Sequence, residues 1–134
     1  MFGPVNAISA EDARSGKYSI KLEKSNPFAL DYNLKNTKIG EHYQIDVWRK
    51  SNSSNGYLVI AADDPQIFYQ AQNEAIKFDD NDWELLRINL YVNPVMEGKN
   101  LKIYLYNPRK EVAYFDDLSI KVFEIDSVYH KVIL

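Results

Sequence analysis

Apolar residues recur at every second position along most of the chain, the period of a β-strand with one buried face. "KYSIKLEK" (17–24) sets Tyr18, Ile20 and Leu22 on one side and Lys17, Ser19, Lys21 and Glu23 on the other. "FALDYNL" (28–34) groups Phe28, Leu30, Tyr32 and Leu34 against Ala29, Asp31 and Asn33. "HYQIDVWRK" (42–50) sets Tyr43, Ile45 and Val47 against Gln44, Asp46 and Trp48. "WELLRINLYV" sets Leu86, Ile88, Leu90 and Val92 against Arg87, Asn89 and Tyr91, and "LKIYLY" sets Leu101, Ile103 and Leu105 against Lys102, Tyr104 and Tyr106. "YLVIAA" (57–62) is continuously apolar, as expected of a central strand.

Between these runs lie "SNP", "SNSSNG", "DDP", "NPVMEGKN" and "NPRKE", clusters of the residues that turns require. About eight short strands with no helix for parallel crossovers predict an all-β fold, an antiparallel β-sandwich. In jelly-roll order, residues 17–24, 42–50, 83–92 and 114–122 share one sheet, and 28–34, 57–62, 66–72 and 101–106 the other. One domain is expected over 1–126, with 127–134 as an extra strand or the lead into a further domain. Trp83, following the acidic "FDDND", is expected to plug the end of the core.

Composition narrows the function. Ten Tyr against six Phe and two Trp favour strands and half-wet surfaces. Sixteen basic and nineteen acidic residues, with no basic run, argue against nucleic acid as a partner. The absence of Cys removes disulfides, thiol nucleophiles and thiolate zinc sites. No apolar run reaches the roughly 20 residues that span a bilayer, so membrane insertion is not expected. "MFGPVNAISAEDARSG" has no basic stretch followed by an apolar core; the expectation is a piece of a longer, exported chain. Asn52 heads a glycosylation sequon, "NSS".

"VAYFDDLSIKV" (112–122) places Asp116 and Asp117 side by side inside a strand, where Asp is disfavoured. Glycoside hydrolysis needs two carboxyl groups facing one bond across several ångströms. Neighbours in an extended strand point to opposite faces, so this pair is not expected to share a cleft. Two readings remain: ligands to a cation that favours hard oxygens, such as calcium, or acceptors capping hydrogen bonds at a bulge. His42 and His130 have no ligand-like spacing, and no Ser-His-Asp set or phosphate loop stands out, so an independent enzyme is not expected.

"ARSGKYSIKLE", "YQIDVWRKS", "DWELLRINLYV", "LKIYLYN" and "VAYFDDLSIKV", in that order, resemble the jelly-roll carbohydrate-binding modules of galactose-binding-like fold attached to bacterial glycanases. The similarity runs from about residue 7 to about residue 124, with "SGKYSIKL" and "YFDDLSI" its most telling pieces. It implies a non-catalytic module, secreted or on the bacterial surface, with a structural calcium. The ligands implied are Asp117 or Asp116, the carbonyls of Lys17 and Arg14, and Glu11 or Asp12. "MFGPVNAIS" departs from the Asn-rich or Gly-Phe-Glu opening that usually supplies a further ligand.

Sugar sites combine ring faces, which stack on apolar sugar faces, with amides and charges that satisfy hydroxyls. The second sheet offers Tyr104, Tyr106 and Lys102 on one strand and Asp31 and Asn33 on another, with Tyr57, Gln70 and Gln72 able to join them. A competing patch holds Trp48, Arg87, Asn89 and Tyr91 on the first sheet, where an amino-terminal strand or neighbouring domain could cover it. The expected partner is a polysaccharide or oligosaccharide. The alternative is a structural or protein-interaction sandwich whose exposed rings contact neighbouring domains of the same chain.

Overall fold

The computed structural model describes residues 8–123 and the backbone of residues 128–132. Its strands are β1 (Ile8–Ser9), β2 (Ser19–Leu22), β3 (Phe28–Leu34), β4 (His42–Ser51), β5 (Tyr57–Ala62), β6 (Tyr69–Gln72), β7 (Lys77–Phe78), β8 (Glu84–Tyr91), β9 (Leu101–Tyr106), β10 (Ala113–Phe123) and β11 (Val128–Val132). Among the described residues there is no helix, and so none long and apolar enough to cross a membrane. The strands form two antiparallel sheets, β1-β2-β10-β4-β8-β7 and β3-β9-β5-β6. These are the two groups that jelly-roll winding predicts. The long β10 pairs with β2 through Ala113–Phe115 and with β11 through Ser119–Phe123 along the same edge, so the tail extends the first sheet.

Alternation places the core. Ile20, Leu22, Ile45, Val47, Leu86, Ile88, Leu58, Ile60, Ile103 and Leu105 come together between the sheets, buried as their period-two positions require. The edge strands β1, β6 and β7 are only two to four residues long, which limits the unpaired backbone they present. Arg49 crosses the interior at 1% exposure. It donates to the Glu84 carboxylate and, through Nη1, to the carbonyls of Gly56 and Asn73 at 2.8 Å, joining β4, β8 and two loops. Removing one partner of so buried a pair costs about 3–5 kcal/mol. Gly56 sits at φ +98°, and a Cβ there would lie 2.7 Å from the Phe115 ring, so both backbone and space demand glycine.

Period-two reading fails where a strand carries an extra residue. Between Ala29 and Tyr32 the β3–β9 register shifts, with Leu30 at φ +67°. Both Ala29 and Leu30 are buried, and Phe28, expected beside Leu30 in the core, is turned outward at 53% exposure. A second shift lies between Asp116 and Ser119 opposite β4, with Asp117 at φ +53°. It brings both Phe115 and Leu118, three apart, into the core. Tyr18, expected inside, precedes β2 and is exposed. Trp83 and Leu85 are buried but outside the central cluster. Leu85 pairs with Trp48 and Lys77, so Trp83 closes the outer side of the first sheet rather than the end of the core.

Candidate functional site

Directly paired strand residues share a face, so register identifies what the second sheet shows to solvent. Phe28 pairs with Tyr106 and Tyr106 with Tyr57; Tyr104 pairs with Val59, and Val59 with Ala71; Lys102 pairs with Asn33 and Ala61, and Ala61 with Tyr69. All lie opposite the core, and Asp31, exposed in the bulge of β3, joins them. The sheet therefore brings Tyr104, Tyr106, Lys102, Asp31, Asn33 and Tyr57 together as predicted. Gln70 and Gln72 do not join them. They pair with the core residues Ile60 and Leu58 and turn, half-buried, to the inner side of the edge strand. Phe28 and Tyr69 take their place on the outer face, Phe28 through the bulge and Tyr69 through the register of β6.

The rings form a row transverse to the strands. Phe28 and Tyr106 stack with centroids 4.4 Å apart and planes 15° from parallel, and Tyr104 tilts toward Phe28 at 6.3 Å. The side chains of Tyr104 and Tyr69 come close enough to interact electrostatically, although these residues stand on β9 and β6 with β5 between them. Between them β5 carries Val59 and Ala61, small residues buried although they face away from the core. From β3 to β6 the row covers about 14 Å, three inter-strand spacings. Burial, and secondarily the neighbouring Tyr69 hydroxyl, raises the Tyr104 phenol above its ordinary value, so it stays a neutral donor and acceptor. Around this row Asp31, Asn33 and Lys102 make no side-chain hydrogen bond or ion pair with any other described residue.

The outer face of the first sheet also carries aromatic and charged residues, and they are engaged with one another. The Arg14 guanidinium lies over the Trp48 ring, 3.7 Å from its centroid. Covering of this patch by the amino-terminal segment is thus seen at Trp48. Arg87 makes a two-pronged pair with Asp46, at 2.7 and 2.9 Å, which raises its pKa further. His42 stacks on Tyr91 at 4.2 Å and on Phe123 at 5.0 Å, and shares a hydrogen bond with Asn89. The second predicted patch divides into internal contacts, with Tyr91 its exposed end.

Asp116 and Asp117 do not point to opposite faces: the bulge turns both toward the segment at 14–15. One oxygen of Asp116 accepts the backbone N–H groups of Arg14 (2.9 Å) and Ser15 (3.1 Å), and the other accepts the N–H of Asp117. Asp117 accepts from the Arg14 guanidinium at 2.9 Å and from the Ser15 hydroxyl. Arg14 reaches Asp79 through Nε at 3.0 Å. Burial raises the Asp116 pKa against the pull of these N–H groups. At Asp79 burial acts the same way but loses to the N–H groups of Trp83 and Asn81 and to Arg14, so the net shift is downward.

This donor set does not fit calcium, which takes oxygen ligands. N–H groups face Asp116, and a guanidinium already occupies Asp117. The other implied ligands are spread out. Glu11 holds Lys21 and the Tyr114 hydroxyl, which lowers its pKa; Asp12 holds Lys50; Lys17 is exposed. Among the described residues no group of three or more His, Cys, Asp or Glu converges. The amino-terminal opening that would supply a further ligand, residues 1–7, lies outside the described residues. The arrangement matches the alternative reading, carboxylates capping hydrogen bonds at a bulge.

No protein-family model and no curated protein matches the sequence. Solved structures match the fold. The CBM22-1 xylan-binding domain of Paenibacillus barcinonensis Xyn10C is 18% identical, over 87% of this chain and 80% of that one, with a TM-score of 0.57. A family 16 carbohydrate-binding module is 16% identical over 84% and 82% of the two chains, with a TM-score of 0.58. A cyclase from Fischerella sp. is 14% identical over 95% and 84%, with a TM-score of 0.61. The expected jelly-roll fold of carbohydrate-binding modules is the fold observed, and a cyclase shares it.

Proposed function

We propose that this chain is a non-catalytic saccharide-binding module that receives its ligand on the outer face of the second sheet. The observation that carries the reading is the row Phe28, Tyr106, Tyr104 and Tyr69, with Asp31, Asn33 and Lys102 beside it lacking partners among the described residues. Ring faces take the apolar side of a sugar, and free amide, carboxylate and ammonium groups replace the water on its hydroxyls. The xylan-binding domain and the family 16 module of similar fold support this use. In this reading the module works outside the cell and holds an attached domain near a polysaccharide or oligosaccharide.

The cyclase of similar fold draws attention to catalysis. Against it stands the use made of the adjacent carboxylates: Asp116 and Asp117 accept five hydrogen bonds from residues 14, 15 and 117 and leave no free pair to act as acid and base. A glycan array tests the proposal. Saturable binding that is lost in Tyr104→Ala, with the circular dichroism of the wild type retained, is the expected result. Failure to bind across plant, algal and host glycans would turn the reading to a structural or protein-interaction sandwich.

A further inference from the structure

At the Phe28 end of the aromatic row, the turn after β9 folds back beside the turn before β3 and frames an open cavity of about 350 Å³. That is near the lower end of ligand sites, about 300–1,000 Å³, and suits a saccharide unit. The stacked Phe28 and Tyr106 form one wall, so the cavity continues the aromatic face. The other lining residues bring three cations, Lys24, Arg109 and Lys110, and no carboxylate.

This charge is opposite in sign to the chain's formal net charge of -3. None of the three cavity cations is in an ion pair among the described residues, as is also true of Lys102 beside the aromatic row, whereas Arg14, Lys21, Arg49, Lys50 and Arg87 pair with carboxylates. Arg109 and Lys110 also stand on a fixed turn. Asn107, 1% exposed, donates from Nδ2 to the carbonyls of Leu22 and Glu111, accepts the Arg109 N–H on Oδ1, and gives its own N–H to Pro27 at 2.8 Å. Pro27 and Pro108 stiffen the two sides. A wall fixed in advance lowers the ordering cost of binding.

We propose that this cavity takes the anionic group of an acidic saccharide, a uronate carboxylate or a sulfate ester, while the sugar ring lies against Phe28 and Tyr106. The inference rests on the reading of the aromatic face as a saccharide site. It narrows the ligand to polymers whose charge opposes that of Lys24, Arg109 and Lys110.

Two matched pairs of probes test it by isothermal titration: polygalacturonate against the same polymer after carboxyl reduction, and a sulfated galactan against its desulfated form. At low ionic strength the acidic member of at least one pair should bind about tenfold tighter or more, the least that a charge-assisted hydrogen bond contributes. Which pair responds identifies carboxylate or sulfate. The exposed double substitution R109Q/K110Q, checked for folding by circular dichroism, should remove the difference between the members of the responding pair; Tyr104→Ala should weaken both members. Equal binding within both pairs, or a difference that survives R109Q/K110Q, overturns the inference and leaves the saccharide reading standing. Failure with both pairs while neutral glycans bind on the array has the same meaning. Failure with every glycan removes the saccharide reading and this inference together.

Discussion

The two outer faces of the sandwich carry similar residues and use them differently. On the first sheet, Trp48 lies under Arg14, Arg87 is clasped by Asp46, and Asn89 is held by His42. On the second, rings stack on rings, and the polar groups beside them have no described partner. In the proposed reading, aromatic content therefore does not by itself distinguish a recognition surface from a scaffold. The distinction lies in whether the polar groups around the rings have already replaced water with protein, because a satisfied group has little to offer a ligand.

The largest effect is expected where the closed face is fastened. Asp116→Ala strands the N–H groups of Arg14, Ser15 and Asp117 in a part-buried site, and at about 1–3 kcal/mol each the loss should be about 3 kcal/mol or more. Urea unfolding measures it; a loss below about 1 kcal/mol would mean that the fastening is ornamental. Well below the melting temperature, glycan binding by this variant should be that of the wild type.

Next in size is a paired substitution across the two faces. Phe28→Ala should weaken saccharide binding by about 2 kcal/mol, as removal of a central ring does, with little change in stability because Phe28 is half exposed. Arg87→Gln should leave binding unchanged and cost about 1 kcal/mol of stability, the upper range for an exposed ion pair. If Arg87→Gln weakens binding more than Phe28→Ala, the faces have been assigned the wrong way round.

Acid separates the carboxylates within the closed face. Asp79 has a depressed pKa, so its contribution is present above the unfolded value and is lost as pH falls below about 4. Asp116 has a raised pKa, so its contribution has the opposite sign: it is full below that pH and is lost as Asp116 ionises. Wild type should therefore lose melting temperature from pH 5 to pH 2 more steeply than Asp79→Asn. Parallel curves for the two proteins would show that Asp79 is not linked to folding.

The smallest expected effect is that of chelation. With N–H groups and a guanidinium on the two aspartates, EDTA should leave the melting temperature unchanged. A fall restored by added calcium would show that an ion is held by oxygens other than those described around Arg14.

Much of the fold was legible because burial imposes period two on a half-buried strand. Inward positions of β4, β8 and β9 follow from it, and the membership of both sheets follows from jelly-roll winding order. The departures occur where a single backbone position changes phase. Leu30 and Asp117 occupy left-handed conformations that neither residue type advertises, and Ala29 and Leu30 are both apolar, so either register of β3 reads well. Gln70 and Gln72 went astray for a related reason: on a short edge strand, pairing with Leu58 and Ile60 sets the face, and polarity does not. The candidate site was readable in its tyrosines. The ring added by a bulge and the ring added by edge register were not, because both depend on partners distant in sequence.

The bulge of β3 has an evolutionary consequence. A left-handed Leu30 costs about 1–2 kcal/mol, and in return the chain gains an outward phenyl ring without any change to the residues of the neighbouring strands. On a sandwich of this kind, one inserted codon can move a side chain from interior to exterior and leave the sheet intact. Specificity can thus diverge between descendants by insertion and deletion within strands, and an alignment that forbids gaps there would compare residues on opposite sides of the protein.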